Sequence, residues 1–155
     1  MFRAYNCQLS GILAVELVQA LTEAAPNVFL ISLGHNPILA KNRHAFSTLC
    51  QIVLPRVHSL RILDLTSCGM TDHPIDGQLD DIRQLITRSG KLKQVEISRN
   101  RVQFGDEPFQ KLKRDAIASG SRPAVREWKE YSVIEQTNYE RYRHVAEAYG
   151  TTLYP

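Results

Sequence analysis

The segment LRILDLTSCGM, residues Leu60–Met70, decides the fold of this chain, because its pattern occurs three times. The pattern precedes this segment as VFLISLGHNPI at Val28–Ile38 and follows it as LKQVEISRNRV at Leu92–Val102. All three segments fit L-x-x-L-x-L-x-x-(N/C)-x-L when Val, Ile and Met are allowed for Leu. One pattern that recurs at a fixed spacing predicts a repeat architecture in which each copy stacks on the next.

One column of the repeat is polar. It holds Asn36, Cys68 and Asn100, so the period is 32 residues both times. An incomplete copy opens the chain over residues 2–9 and puts Cys7 in the same column, 29 residues before Asn36. We expect this column to be buried and bonded to loop backbone, with Cys substituting as a small buried group.

The pattern resembles the leucine-rich repeat family, and LDLTSCGMTD at residues 63–72 is similar to its ribonuclease-inhibitor-like subclass. The resemblance covers about residues 2–120. It implies an α/β fold: a short right-handed solenoid of about three and a half to four repeats. A parallel sheet would line the concave side of this solenoid and helices its convex side.

The spacing of apolar residues indicates the same arrangement without the resemblance. The alternation inside each copy is typical of a strand with one buried face. Between the copies, helical spacing predicts helices over residues 11–25, 44–59, 78–89 and 108–119, with Pro55 ending or bending the second one early. The buried stripe predicted for the first helix is Ile12, Val15, Leu17, Val18 and Leu21.

The chain divides into two parts, a repeat region over residues 1–120 and a C-terminal extension over 121–155. Disordered tails are usually poor in aromatic residues, whereas this extension holds half of those in the chain. We therefore expect it to order, either as a cap on its own repeats or against a partner. The predicted contact residues of the tail are Trp128, Tyr131, Tyr139, Tyr142, Tyr149 and Tyr154.

Composition bounds the class of protein. The chain has 155 residues, of which 43% are hydrophobic and 23% charged, which suits one folded domain. Three Cys, an odd number, and no Asn-x-Ser/Thr motif favour an intracellular site, cytoplasmic (including ciliary) or mitochondrial, over secretion. We expect no transmembrane segment, because the longest uncharged stretch, residues 24–40, contains Pro26 and Pro37.

No catalytic motif is present. The sequence lacks HExxH, GxGxxG, GxxxxGK[ST], GxSxG and CxxC. Thr71, Asp72, His73 and Asp76 suggest a metal or acid–base cluster, but a polar loop before a helix needs such residues as turn formers and N-caps. We therefore predict a protein that is not an enzyme, with no metal site and no cofactor.

The first candidate binding surface is the concave face of the predicted sheet. Phe29, Leu30 and Ile62 are expected to be adjacent and exposed there, and clustered exposed apolar residues mark contact sites. The alternative is that the C-terminal tail or a loop covers them. The other predicted members of this surface are Arg61, Asp64, Lys93 and Glu96.

The second candidate surface is a basic rim. Eight basic and three acidic residues between Arg88 and Arg114 give a local charge of +5, against +3 for the whole chain. The rim could be ordinary solvated surface, or it could dock RNA, an anionic lipid surface or an acidic protein. No Tyr or Trp is interleaved to stack on bases, which favours an acidic protein. The predicted docking residues are Arg88, Lys91, Arg99, Arg101, Lys111, Lys113 and Arg114.

These features predict a non-catalytic protein–protein interaction module, as an accessory or structural subunit of a larger assembly. Because the chain begins inside a strand with no capping element, we expect another subunit, or more of a longer natural chain, to cover the N-terminal edge. The tail is the second expected contact with protein subunits. The alternatives are an RNA- or ribonucleoprotein-associated accessory factor that uses the basic rim, and a regulatory adaptor.

Overall fold

The computed structural model describes residues 1–71, 77–89, 91–102, 110–112 and 114. Several predictions lie outside these residues: most of the helix over 108–119, the C-terminal extension and Lys113. The six tail aromatics, Trp128, Tyr131, Tyr139, Tyr142, Tyr149 and Tyr154, lie outside them as well.

The described residues form an α/β fold around a parallel sheet. Its four strands, in sequence order across the sheet, are β1 (Phe2–Arg3), β2 (Leu30–Ser32), β3 (Ile62–Asp64) and β4 (Gln94–Glu96). Leu63 pairs with Ile31 on one side and with Val95 on the other. The register of β2, β3 and β4 therefore pairs residues that are 32 apart, which is the period of the sequence pattern.

Helical segments connect consecutive strands. They are α1 (Gly11–Ala24), α2 (Arg43–Thr48) and α3 (Gln78–Arg88), with a π-helical turn at Leu49–Val53 and 3-10 turns at Leu39–Lys41 and Leu54–Arg56. Two starts follow from N-caps, since the Ser10 side chain accepts from the Leu13 N–H and the Asn42 side chain from the Ala45 N–H. The helix α1 packs on α2, and α2 on α3.

Pro55 shapes the second connection, where a helix over residues 44–59 was expected to end or bend early. Proline has no N–H, so it cannot donate to the carbonyl of Gln51 four residues before it. That carbonyl accepts a hydrogen bond from Arg88 Nη1 at 3.0 Å. Regular α-helix ends at Thr48, well before Pro55. The Gln51 carbonyl, which a residue other than proline could have bonded, accepts from the Arg88 side chain of the next copy instead.

The apolar columns of the repeat form the core. The inward residues of β2, β3 and β4, which are Ile31, Leu63 and Val95, are 0% exposed, and Phe46 of α2 belongs to the same core. They pack in one continuous cluster that runs through all three complete copies. The three complete copies thus share one apolar core.

The predicted buried stripe of α1 is partly wrong. Ile12 is 54% exposed, whereas Gly11, Ala14 and Val18 are buried. The reason is a close approach between connections, because a Cβ at Gly11 would stand 2.7 Å from the carbonyl oxygen of Leu39. The face that packs on the next repeat therefore needs small residues, which a hydrophobic pattern does not reveal.

Asn36 makes five side-chain hydrogen bonds, and three of them tie it to the first copy. Its Oδ1 accepts from the N–H groups of Cys7 and Leu9, at 3.0 Å each. Its Nδ2 donates to the carbonyl oxygens of Ala4 and Leu33, at 2.8 and 2.7 Å. The expectation of a buried residue bonded to loop backbone is confirmed here.

Asn100 repeats this arrangement between the last two complete copies. Its Oδ1 accepts from Cys68 and Met70 at 2.9 and 3.0 Å, and its Nδ2 donates to Leu65 and Ile97 at 2.9 and 2.8 Å. The geometry of the polar column is thus conserved across the period of 32 residues.

Cysteine substitutes for asparagine in two ways. Cys68 is fully buried, and its thiol donates to the carbonyl oxygen of Leu33 at 3.2 Å. Cys7, which the pattern placed in the same buried column, is exposed. Its loop follows β1, an edge strand of the described sheet, so it has a neighbouring loop on one side only.

Candidate functional site

The concave face does not expose the apolar cluster that the sequence predicts. Leu30 and Ile62 are adjacent, as expected, because β2 and β3 pair them in register. Their exposed fractions are only 1% and 8%, however, and Phe29 is half-buried. Neighbouring in-register side chains point to the same face of a sheet and shield each other from water. The expectation that Leu30 and Ile62 are exposed is therefore wrong.

The acidic members of this face are also buried. Asp64 is 8% exposed and Glu96 3% exposed. Asp64 Oδ2 accepts from the Ser32 hydroxyl at 2.7 Å, and Oδ1 accepts from the Thr66 N–H at 2.9 Å. Gly34 leaves room for the carboxylate, since a Cβ there would lie 3.0 Å from Oδ2. Asp64 thus stabilises the sheet and the turn that follows it.

The remaining predicted members lie at the start of the strands. Arg61 is half-buried and Lys93 is exposed. Their backbones continue the ladder between copies, because the Lys93 N–H donates to the Arg61 carbonyl at 2.7 Å. The structure therefore offers an edge, and not the centre of the concave face, as accessible surface.

The predicted basic rim is divided between two edges of the sheet. Arg88 and Lys91 precede β4, whereas Arg99 and Arg101 follow it. In a parallel sheet all strands start at one edge and finish at the opposite edge, so these two pairs of residues lie at opposite edges. Lys111 and Arg114 are exposed. These basic residues are close together in the sequence, but the described ones do not form one continuous surface.

The edge at the start of the strands carries a cleft of about 340 Å³. Arg88, Lys91 and His58 line it beside apolar residues from the loop before β3. Arg88 also donates to the carbonyl of Gln51, so one of its functions is structural. The C-terminal end of α3 lies here, and the negative end of a helix dipole favours such cations without any ligand.

The edge at the end of the strands carries a larger cleft, of about 660 Å³, which we call the C-edge cleft. It is formed by the loops that follow β2, β3 and β4, and four of its lining residues are basic: Lys41, Arg43, Arg99 and Arg101. Among the described residues that line it, none is acidic and none is aromatic. The parallel pairing of the strands brings together basic residues that are about 60 residues apart in the chain.

Hydrogen bonds between loops hold the wall of the C-edge cleft in place. Gln78 Oε1 accepts from the Thr71 N–H at 2.6 Å, and Gln78 Nε2 donates to the Ala40 carbonyl at 2.8 Å. Gln78 is 5% exposed, so this amide is a buried link between three segments. Gly77 lies against the Arg43 guanidinium, and its φ of 62° is a left-handed conformation that favours glycine.

One member of the predicted polar cluster, Thr71, is among the described residues. Thr71 lines the C-edge cleft, and its neighbours Asp72, His73 and Asp76 lie outside the described residues. Sequence reasoning identified Arg99 and Arg101 but missed Lys41 and Arg43. An alignment of the copies could have found these two, because loops in equivalent positions become neighbours when repeats stack.

The buried thiols have no features of a reactive site. Burial raises the pKa of the Cys50 thiol well above its usual value, and the nearby Asp81 carboxylate raises it further. Burial is also the main cause that raises the pKa of Cys68, followed by the Asp64 carboxylate. A thiol reacts as a thiolate, so these two are poor nucleophiles at neutral pH.

Among the described residues, His, Cys, Asp and Glu do not gather in a group of three that could hold a metal ion. Within the same ranges, every helix is too short or too polar to cross a lipid bilayer. Comparison of the chain with family models, with curated proteins and with solved structures finds no match.

Proposed function

We propose that this chain is a leucine-rich-repeat solenoid that acts as a non-catalytic protein–protein interaction module, as an accessory or structural subunit of a larger assembly. Support for the solenoid comes from the register of the sheet, which equals the sequence period, and from the two asparagines that join successive copies. The connecting helices pack side by side, which is the arrangement such a repeat requires.

The observation that carries the interaction role is the exposure of large apolar side chains at the first copy. Tyr5 is 51% exposed, Ile12 54% and Leu13 50%. Tyr5 follows β1, the edge strand of the described sheet, and Ile12 and Leu13 lie in the first turn of α1. An open end of a repeat stack presents apolar surface that a neighbouring element covers, and clustered exposed apolar side chains mark such contacts.

The buried polar groups support a structural role over a catalytic one. Asn36, Asn100 and Asp64 bond to backbone groups or to a neighbouring strand. Asp81 lies between the second and third connections, where its Oδ1 accepts from Ser47 and Gln51. Each of these groups stabilises the contact between copies.

The experiment replaces Leu13 with glutamate. Partners of the tagged full-length chain are first identified by crosslinking and mass spectrometry in the native source. Leu13→Glu is expected to abolish most of their recovery, because a charge at an apolar contact is costly to bury. The fold is expected to survive, since Glu three residues after the N-cap Ser10 completes a capping box.

Ile52→Glu is the matched control, because Ile52 is 48% exposed but lies on the π-helical turn of the second connection. It should leave partner recovery unchanged. Undiminished recovery with Leu13→Glu, or equal loss with both variants, would contradict a partner contact at the first copy.

The second candidate function is an RNA-associated accessory factor, and the four basic side chains that line the C-edge cleft favour it. A nucleic-acid partner would give affinity that falls steeply with salt, because binding releases counterions from the phosphates. The described lining of the cleft has no aromatic side chain on which a base could stack, which favours protein over RNA.

A further inference from the structure

We infer that the C-edge cleft is the docking site for an acidic, Asp- and Glu-rich segment of a partner protein. The inference rests on the proposed interaction function and names the chemistry of one partner. It concerns a different surface from the apolar patch around Leu13, so the two can fail separately.

The charge of the cleft is the first argument. Lys41 ends the 3-10 turn after β2 and Arg43 begins α2, whereas Arg99 and Arg101 come from the loop after β4. Lys41 and Arg101 are exposed, so their charged groups are available to an incoming segment. Opposite charge across an interface steers association and fixes its register, and these two exposed cations would supply it to an acidic segment.

The shape of the cleft is the second argument. Its volume of about 660 Å³ lies in the range of about 300–1,000 Å³ that is usual for ligand sites. The amide of Gln78 and the backbone bond from Ala40 N–H to the Cys68 carbonyl, at 3.1 Å, fix the loops before any ligand arrives. A preformed site loses little conformational entropy on binding.

The chemistry of the lining selects the kind of acid. Arginine binds carboxylates through two parallel N–H···O bonds, and lysine adds a point charge. Asn100 also lines the cleft, but its side-chain amide is used by the backbone of the repeats. Single-stranded RNA is bound by stacking of its bases on aromatic side chains, and the described lining offers charged groups instead, which suit carboxylates along a peptide.

The test measures binding of the full-length chain to three fluorescein-labelled probes by fluorescence anisotropy at fixed low salt. The probes are an oligo-glutamate peptide, the oligo-glutamine peptide of equal length and an oligo-uridylate RNA. We expect saturable binding of the glutamate peptide, weaker binding of the RNA, and none of the glutamine peptide.

The double variant Lys41→Gln and Arg101→Gln removes two cleft charges at exposed positions. It should raise the Kd for the glutamate peptide about tenfold, the effect of two lost charge contacts. The matched control, Lys91→Gln and Lys93→Gln, removes the same charge from exposed positions at the opposite edge. It should change the Kd by less than about threefold.

Equal weakening by both double variants would show attraction by net charge alone and overturn the inference. Failure of the chain to bind the glutamate peptide would overturn it as well. Tighter binding of the RNA, lost in the cleft variant only, would replace the acidic peptide with nucleic acid. If the cleft variant binds the peptide normally while Leu13→Glu still loses its cellular partners, the cleft assignment fails and the interaction function stands.

Discussion

At the scale of the residue, the asparagine of the polar column does what no apolar core residue can do. A single amide accepts two N–H groups from the preceding loop and donates to carbonyls of two successive copies. Backbone groups in a tight loop have no ladder of their own, so they need a side chain or water as a partner. Cys68, in the same column, offers only a weak thiol donor. The backbone N–H of Cys68 instead donates to the side chain of Asn100 in the next copy.

Asn36→Ala is expected to lower the free energy of unfolding by about 3 kcal/mol, because the N–H groups of Cys7 and Leu9 and the carbonyl of Ala4 lose this partner in a partly buried loop. Asn42→Ala, at the exposed N-cap of α2, removes a single bond to the Ala45 N–H and should cost only about 1 kcal/mol. Urea denaturation of the two variants measures the difference. Equal losses would mean that the polar column contributes no more than an ordinary cap.

Asp81→Asn should increase stability at neutral pH. Asp81 is 2% exposed, and its Oδ2 is buried without a hydrogen-bond partner. Burial raises the pKa of this carboxyl, although hydrogen bonds from Gln51 and Ser47 oppose the shift. The folded state therefore binds the proton of Asp81 more tightly than the unfolded state does. The resulting stabilisation is complete below the ordinary pKa of about 3.9, and it is lost as the pH rises through the raised pKa of the folded state. The advantage of the variant should shrink as the pH falls from 7 to about 4.

Asp80→Asn is the control, because the pKa of Asp80 is shifted in the opposite direction from that of Asp81. A hydrogen bond from Gln84, together with the bonds and the charge of Arg83, lowers the pKa of Asp80. Its contribution is present above the ordinary pKa and is lost as the pH falls through the lower folded value. Denaturation curves over this pH range should therefore diverge between the two variants, and parallel curves would refute the assignment for Asp81.

At the scale of the element, packing distance decides which side chains a helix buries. Periodicity predicted α1 over residues 11–25, and the helix spans Gly11–Ala24. The same periodicity predicted Ile12 as a core residue, which is wrong, because the contact with the next connection admits only small side chains such as Gly11 and Ala14. A hydrophobicity pattern contains no information on how closely two backbones approach.

Gly11→Ala separates these two effects. Helix propensity alone would make alanine more favourable by up to about 1 kcal/mol. The added methyl would lie 2.7 Å from the Leu39 oxygen and 3.0 Å from Ala45 Cβ, so we expect a net loss of about 2 kcal/mol. Gln19→Ala, at an exposed position of the same helix, should stay within about 0.5 kcal/mol of the parent. Thermal unfolding compares them, and a stabilised Gly11→Ala would refute close packing at this contact.

At the scale of the whole molecule, the period predicted the order and register of the strands, but it did not predict where surface charge collects. The basic residues from Arg88 to Arg114 are close in sequence, yet β4 separates Lys91 from Arg99 by its full length. The C-edge cleft combines Arg99 with Lys41, from another copy. Loops that are neighbours at one edge of the sheet come from different copies, so a linear scan of charge identifies only two of the four basic residues that line the cleft.

The residue before the polar column is left-handed in every copy, with φ between 53° and 57° at Asn6, His35, Ser67 and Arg99. The N–H groups of the first three donate to carbonyls of the next copy, so the backbone alone fixes this bend. An amide, an imidazole, a hydroxyl and a guanidinium occupy the same bend, because its geometry does not depend on their chemistry. Evolution can therefore exchange these side chains one at a time and change what the edge recognises while the frame beneath it stays constant.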